Sequence, residues 1–237
     1  MKKPTRPSIS LSKMISGLLN INKPQGLTSH DVVARIRKLS GQRKVGHTGT
    51  LDPLATGVLL VCLGQATRLI EYVQAGRKKY RGTIRFGQST DTLDADGQFI
   101  DQRDPSHLTE AQLQAILPQF QGEIEQIPPV FSALKKAGQP LYKMARAGQT
   151  VELAPRPVVI EALEWVTWQP PDLTLDITCS PGTYIRSLAR DLGQMAGTGA
   201  HLLSLTRTEN GGRSITDAVT LDQLEQAGSH GSNRWLQ

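Results

Sequence analysis

Residues 45–57, VGHTGTLDPLATG, form a glycine-rich segment that leads directly into a short apolar run, Val58–Leu63. The glycines permit a tight path that residues with a Cβ follow poorly. Pro53 fixes its own φ and biases Asp52, just before it, toward an extended conformation. The apolar run is suited to a buried strand. The pattern therefore predicts a single carboxylate held on a stiff loop immediately before a strand of the core.

The spacing alone gives Asp52 two interpretations. A rigid loop beside a strand is where a catalytic group is well positioned, but a turn aspartate also satisfies neighbouring N–H groups. No second acid lies in the segment, which disfavours a two-carboxylate glycosidase, and His47 lacks partners at metal-ligand spacing. Residues 92–97, TLDADG, resemble a calcium loop, but Thr92 and Arg103 occupy positions where such a loop needs carboxylates.

Basic side chains flank this segment on both sides. They are Arg35, Arg37, Lys38, Arg43 and Lys44 upstream, and Arg77, Lys78, Lys79 and Arg81 downstream. The 237-residue chain has 27 basic and 21 acidic side chains, a net charge of +6, which points weakly to a polyanionic partner and is also explained by solubility. Tyr80 interrupts the downstream cluster, and a base can stack on an aromatic ring while cations meet its phosphates. Nucleic-acid contact and a solvated surface are both open at this point.

The hydrophobic pattern predicts interspersed strands and helices. Strands are expected at 58–63, 80–86, 158–168, 173–179 and 201–207, and helices at 66–73 and around 185–192. Ser29 is the expected N-cap of a helix ending at Gly41, and Thr109 with Gln112 and Thr220 with Gln223 mark two further helix starts. There is neither a regular βαβ rhythm nor a G-x-G-x-x-G loop. We therefore predict an α+β (mixed α/β) fold.

Composition excludes several other classes of protein. The two cysteines, Cys62 and Cys179, lie in apolar runs, which predicts buried reduced thiols and excludes a disulfide-rich scaffold or a four-cysteine zinc site. The longest apolar stretch is far shorter than the roughly 20 residues that span a bilayer, and the N-terminus makes a poor signal peptide. Residues 1–12 predict a disordered basic arm. A cytoplasmic location, with no membrane contact, is the expectation.

Six successive stretches of the chain resemble the motifs of the bacterial TruB-type tRNA pseudouridine synthases. They are LNINKPQGLTSHDVV, KVGHTGTLDPLATGVLLVCLGQATRL, KKYRGTIRFGQSTDTLDADG, IPPVFSALKKAGQPLYKMARAG, CSPGTYIRSLARDLG and GAHLLSLTRTENGGRSI. The likeness extends over about residues 17–224 in order, and GHTGTLDPLATG is long and specific. The shorter H-R-L-D motif of other pseudouridine synthase families is not present.

The resemblance implies isomerisation of uridine 55 in the T-loop of tRNA to pseudouridine, with neither cofactor nor metal. It implies the pseudouridine synthase fold, whose central sheet is mixed, mostly antiparallel and flanked by helices. By motif, Asp52 is the catalytic aspartate and Arg186 its ion-pair partner. Tyr80 matches the tyrosine that packs on the target base and assists removal of the C5 proton. His47 matches the residue that enters the T-loop where the flipped nucleotide had been.

Further positions follow from the later motifs. Tyr184 and Leu205 resemble pocket-lining residues, although a plain core role also fits them, and Lys23 and Pro24 match a motif that supports the catalytic loop. The expected partner is the T-stem-loop of tRNA, bound by a monomer. Residues 13–237 are expected to form the catalytic domain, and the C-terminal PUA domain usual in the family is absent or truncated here.

Two other hypotheses for the function of the chain are open. A tRNA-binding or tRNA-folding chaperone would need the RNA surface but no carboxylate, because a carboxylate repels phosphate-rich RNA. A guide-RNA-dependent pseudouridine synthase subunit shares much of the signature, but its long C-terminal extension has no counterpart in this chain.

Overall fold

The computed structural model of the chain describes residues 15–229, apart from positions 133, 137, 142, 143, 145, 146, 148–150 and 152. The predicted basic arm, residues 1–12, lies outside the described residues. No helix in the described part of the chain has the length and hydrophobicity that crossing a bilayer requires.

The chain forms short strands interspersed with helices. The strands are β1 (Gly17–Lys23), β2 (Val45–His47), β3 (Thr56–Leu63), β4 (Lys78–Phe86), β5 (Gln88–Thr90), β6 (Phe99–Gln102), β7 (Gly122–Gln126), β8 (Lys135–Lys136), β9 (Gln139–Pro140), β10 (Arg156–Gln169), β11 (Asp172–Cys179), β12 (Ala200–Asn210) and β13 (Arg213–Ser214). The α-helices are α1 (Ser29–Ser40), α2 (Ile70–Gln74), α3 (Glu110–Ile116), α4 (Ile185–Met195) and α5 (Leu221–Ser229). The described residues also form 3₁₀ helices at Gly64–Leu69, Leu117–Phe120 and Ile215–Asp217.

A nine-stranded sheet organises the fold. Seven strands follow the order β1-β3-β12-β4-β11-β10-β7, while β2 pairs with β3 and β13 with β12. Among the described residues, every pair in this sheet is antiparallel except β3 with β12, where Thr56 pairs with Thr206 and Gly57 with Arg207. This confirms the predicted mixed, mostly antiparallel sheet flanked by helices.

Two inner strands of the sheet, β3 and β4, follow the patterns expected of them. From Gly57 to Leu63, β3 is buried at every position, which explains its continuous apolar run, since a strand covered on both faces does not alternate. In β4, Tyr80, Ile84 and Phe86 are buried between partly exposed neighbours, because successive side chains point to opposite faces. Cys62 and Cys179 are free and buried, as predicted.

The outer face of β4 differs from the free basic surface that the sequence suggested. Lys79 pairs with Glu209 at 3.1 Å, and two bidentate ion pairs follow along the strand, Arg81 with Asp176 and Arg85 with Asp172. Arg77 adds a contact to Glu161 at 3.5 Å. The acids come from β10, β11 and β12, which the sequence does not show to be neighbours. The basic cluster at residues 77–81 is therefore largely neutralised by acidic partners.

Two predicted helices differ in the structure, one in its N-cap residue and the other in its helix type. Thr28, not Ser29, is the N-cap of α1, because the Thr28 hydroxyl accepts the Asp31 N–H while the Asp31 carboxylate accepts the Thr28 N–H. Ser29 is instead the first helical residue and is buried. The helix ends at Gly41 in the left-handed conformation, as predicted. The helix expected at 66–73 is a 3₁₀ turn followed by the short α2.

Candidate active site

A cavity of about 330 Å³ opens where the loop before β3 meets β4, β12 and the start of α4. Five of the six site residues predicted from the sequence line it. They are Asp52, Tyr80, Tyr184, Arg186 and Leu205. Its volume lies at the lower end of the range typical of small-ligand sites.

The loop that carries Asp52 is held by hydrogen bonds to its backbone. The buried Ser29 hydroxyl accepts the Leu51 N–H at 2.8 Å and donates to the Leu51 carbonyl at 3.1 Å. On the other side of Asp52, the Pro53 carbonyl accepts the Gly26 N–H at 2.8 Å. Lys23 donates to the Leu27 carbonyl at 2.7 Å and lies 3.5 Å from that of Pro53. The carboxylate therefore extends from a backbone fixed on both sides.

Arg186 places its guanidinium between two carboxylates. Nε lies 3.0 Å from Oδ2 of Asp52, and Nη1 lies 3.5 Å from Oδ2 of Asp94. Nη1 also donates to the Thr92 carbonyl at 3.0 Å, and Nη2 donates to that of Phe131 at 2.9 Å. The Nε–H makes no aligned hydrogen bond with any described residue, so its contact with Asp52 is an ion pair rather than a directional bond. Arg186 is thus anchored by other groups.

Asp94 is a site residue that the sequence did not reveal. Within 92–97, one Asp94 oxygen accepts the Thr92 hydroxyl at 2.5 Å and the Asp96 N–H at 3.2 Å, while the other faces Arg186. In the sequence this segment resembles a calcium loop and ends the motif KKYRGTIRFGQSTDTLDADG, and neither pattern assigns a role to Asp94. Its contact with α4 depends on tertiary structure, so no local signal in the sequence indicates it.

Burial and charge set the protonation of the site. Desolvation raises the pKa of the Asp52 carboxyl; the Arg186 guanidinium opposes this rise, and the Asp94 carboxylate adds to it. Burial lowers the pKa of Lys23 to about 8, although Asp52 favours its charged form. Lys78, in the cavity wall, also has a pKa of about 8 because of burial. Burial raises the pKa of Tyr80, which keeps its hydroxyl protonated at neutral pH.

His47 is the predicted site residue that does not line the cavity. It ends β2, and its Nδ1 accepts the Gly49 N–H at 3.3 Å. Its ring meets that of His30 edge-on, with centroids 5.3 Å apart. Burial lowers the pKa of His47, and the nearby His30 and Arg207 lower it further. The imidazole is therefore neutral and lies one short turn before the Asp52 loop.

The remaining cavity wall combines apolar and polar groups. Tyr80 is 7% exposed and Leu205 8% exposed, while the Tyr184 N–H donates to Oε1 of Gln126 at 2.8 Å. Arg207 also lines the cavity and was missed from the sequence. The two-residue period of a strand places Arg207 on the same face as Leu205, but only the position of β12 in the sheet brings that face to the Asp52 loop. In the described part of the chain, no three His, Cys, Asp or Glu side chains converge as a metal site.

Comparison with known proteins identifies the family. The model of the TruB family pseudouridylate synthase N-terminal domain matches residues 37–185, and that of the tRNA pseudouridylate synthase B C-terminal domain matches residues 186–235. A tRNA pseudouridine synthase B from Syntrophotalea carbinolica is 46% identical over 211 residues, which cover 89% of this chain and 69% of the relative. One from Pseudomonas aeruginosa is 45% identical over 221 residues, covering 93% and 72%.

Solved structures show the same relationship at lower identity. The fold matches a chain of a Cbf5–Nop10–Gar1 complex with a TM-score of 0.70 at 28% identity, over 94% of this chain and 58% of that one. It matches an H/ACA RNP bound to a substrate RNA with a TM-score of 0.68 at 26% identity, over 93% and 57%. This chain therefore spans a little over half of those longer proteins. With the family models and the close relatives, the match shows that the chain belongs to the TruB family of pseudouridylate synthases.

Proposed function

We propose that the protein is a tRNA pseudouridine synthase that isomerises uridine 55 in the T-loop and uses Asp52 on a nucleotide flipped out of the RNA. The names of its relatives support the tRNA substrate. One observation carries the proposal for the mechanism: a carboxylate on a fixed loop lies 3.0 Å from a buried guanidinium in a cavity lined by Tyr80.

The reaction rearranges bonds without gaining or losing atoms. The bond between N1 of uracil and C1′ of ribose breaks, and its electron pair leaves with the base. The base turns, C5 bonds to C1′, C5 then loses its proton, and N1 gains one. Positive charge develops on the sugar, and a carboxylate can stabilise that charge or form a transient bond with the nucleoside. Both routes require ionised Asp52.

Arg186 supports this ionised state. Opposite charge at close range favours the charged form of a carboxyl group, and Arg186 lowers a pKa that desolvation has raised. The Asp52 side chain keeps 37% of its surface exposed to the cavity, whereas that of Arg186 is 6% exposed. The guanidinium is therefore buried in the protein, whereas the exposed part of the Asp52 carboxylate remains available to the sugar.

Tyr80 and His47 take the two roles that base flipping requires in this proposal. Flipping costs a few kcal/mol, and stacking on an aromatic ring returns about 1–3 kcal/mol per base. Tyr80 packs on the flipped uracil in the cavity, while His47 fills the space left in the T-loop. Because the Tyr80 hydroxyl is protonated, it assists removal of the C5 proton as a relay, in which its oxygen accepts the C5 proton while its own proton passes to N1 of the turned base.

A surface of free cations around the start of β2 supports RNA binding. This basic surface consists of Lys38, Arg43, Lys44 and Arg68, which form no ion pair with any described residue. Lys44 directly precedes β2, and Arg68 lies in the 3₁₀ turn after β3. Since β2 ends at His47, an RNA strand on this surface would lead along β2 toward the Asp52 loop.

Residues 13–237 act as one catalytic domain in this proposal. The segment that matches the C-terminal family model includes β12, which lies between β3 and β4 in the large sheet. It supplies Leu205 and Arg207 to the cavity. The cavity therefore depends on both matched segments.

The direct test is conversion of an unmodified tRNA transcript by the purified protein, with pseudouridine mapped at single-nucleotide resolution. We expect conversion at one T-loop uridine, and none at that position in a transcript carrying cytidine there. RNA binding and refolding without any conversion would contradict the proposal and favour the chaperone alternative. Conversion only when a guide RNA is added would favour the guide-dependent alternative.

A further inference from the structure

Arg207 is a buried cation to which the proposed mechanism gives no role. Its side chain is 1% exposed, and it forms no ion pair with a carboxylate among the residues that the structure describes. Removing a guanidinium from water without a compensating anion is costly. The hydrogen bonds that it makes instead indicate what it does.

All three nitrogens of the guanidinium donate to backbone carbonyls on either side of Asp52. Nη2 donates to Gly49 at 3.2 Å and Nη1 to Thr50 at 3.4 Å, before the aspartate. Nε donates to Val58 at 2.7 Å, after it. The planar fork can hold three acceptors at once, whereas the single ammonium of lysine cannot match this geometry.

The main chain of Arg207 joins the same loop to the rest of the cavity. In β12 it pairs with Gly57 of β3 on one side and with Tyr80 of β4 on the other. Gly57 has a φ of +96°, and a Cβ there would lie 2.3 Å from the Arg207 carbonyl oxygen. Arg207 therefore contacts both ends of the Asp52 loop and the strand that carries Tyr80.

We infer that Arg207 is a positioning residue, which closes the loop 49–58 around its guanidinium and so fixes Asp52 relative to Tyr80 and Arg186. This inference rests on the proposed function, because Asp52 must meet the sugar while Tyr80 holds the base. A displacement of about 1 Å from the productive geometry can reduce a rate about 100-fold. Loosening of the loop should therefore slow the chemical step more than it weakens RNA binding.

The test compares Arg207→Lys and Arg207→Met with Arg85→Met. Arg85 is the matched control, because it makes a bidentate pair with Asp172 on the outer face of the same sheet, away from the cavity. We measure single-turnover conversion of tRNA, tRNA affinity, and hydrogen exchange of peptides spanning 45–57, all at a temperature where thermal unfolding shows the variants to be folded.

We expect both Arg207 variants to lose about 100-fold in single-turnover rate without a comparable loss of affinity. Hydrogen exchange should increase within 45–57 while the other strands keep their protection against exchange. Arg85→Met should change neither the single-turnover rate nor the exchange within 45–57. The lysine variant keeps the charge, so it provides the decisive result if the methionine variant fails to fold.

A wild-type rate per folded molecule in Arg207→Lys would overturn the inference and leave Arg207 a purely structural role. Unchanged exchange within 45–57 would overturn it as well. If the unaltered protein converts no uridine, the proposed function fails, yet hydrogen exchange still decides whether Arg207 holds the loop.

Discussion

Arg186 and Asp52 form an ion pair of unequal burial, with Nε of the arginine 3.0 Å from Oδ2 of the aspartate. The arginine side chain is 6% exposed and the aspartate side chain 37%. Carbonyls from two other segments fix the guanidinium, so the cation does not depend on Asp52 for its position. The carboxylate is held in place and still faces the cavity, which is the arrangement that a reacting group needs.

Asp52→Asn should abolish conversion of tRNA while leaving most of the RNA affinity, because the amide keeps the shape of the carboxyl group but cannot supply its charge. Its thermal midpoint should equal or exceed that of the wild type. Since desolvation raises the pKa of Asp52, the ionised carboxyl destabilises the folded state at pH 7, and this penalty disappears as pH falls through the raised pKa. Conversion assays, tRNA titration and thermal denaturation measure the three effects.

The matched control for this variant is Asp176→Asn. Asp176 pairs with Arg81 on the exposed outer face of the sheet, where an ion pair contributes about 0–1 kcal/mol. We expect normal conversion and a nearly unchanged midpoint. Normal turnover by the Asp52 variant would remove the role proposed for that carboxylate.

Arg186→Gln should lower the rate of conversion more than the affinity for tRNA and should move the acid limb of the pH–rate profile. The rate requires ionised Asp52, so it falls as pH drops through the pKa of that group. Arg186 lowers this pKa, and its removal therefore shifts the limb to higher pH. Single-turnover rates across a pH series give the position of the limb. Loss of affinity alone, with an unmoved limb, would indicate a phosphate contact instead.

Asp94→Asn should shift the same limb in the opposite direction. The Asp94 carboxylate raises the pKa of Asp52, so its removal lowers that pKa and moves the acid limb to lower pH. The asparagine can still accept the Thr92 hydroxyl, which keeps the 92–97 loop in place. The pH series used for Arg186→Gln measures this effect too. Shifts of the same sign in the two variants would contradict the electrostatic coupling of the three side chains.

The sequence predicted the parts of the site that depend on local structure. Pro53 and the glycines around Asp52 indicated the stiff loop, and the hydrophobic pattern of residues 80–86 indicated the strand that carries Tyr80. The motif-based expectation for Arg186 agrees with its ion pair to Asp52. The loop and the strand are set by backbone preferences and hydrophobic pattern, whereas the pair of Asp52 with Arg186 joins segments far apart in the chain and is expected only from the family resemblance.

The parts that the sequence missed depend on which strands become neighbours. Asp94, Ser29 and Arg207 each contact a segment far away in the chain. The position of β12 between β3 and β4 brings Arg207 to the Asp52 loop, and no local pattern encodes that order. The unknown strand order also explains why the sequence suggested that the basic cluster at 77–81 has no acidic partners, since the acids that pair with it lie on other strands.

Lys44→Gln should weaken tRNA binding and reduce its salt dependence, because Lys44 belongs to the basic surface that has no acidic partner among the described residues. Each phosphate contact that is lost lowers the slope of log affinity against log salt by about 0.7–0.9. Binding measured across a salt series gives this slope. Arg81→Gln is the control, since Arg81 is already paired with Asp176 and its loss should leave the slope unchanged. If the Arg81 variant changed the slope and the Lys44 variant did not, RNA would bind across the outer face of the sheet rather than along β2.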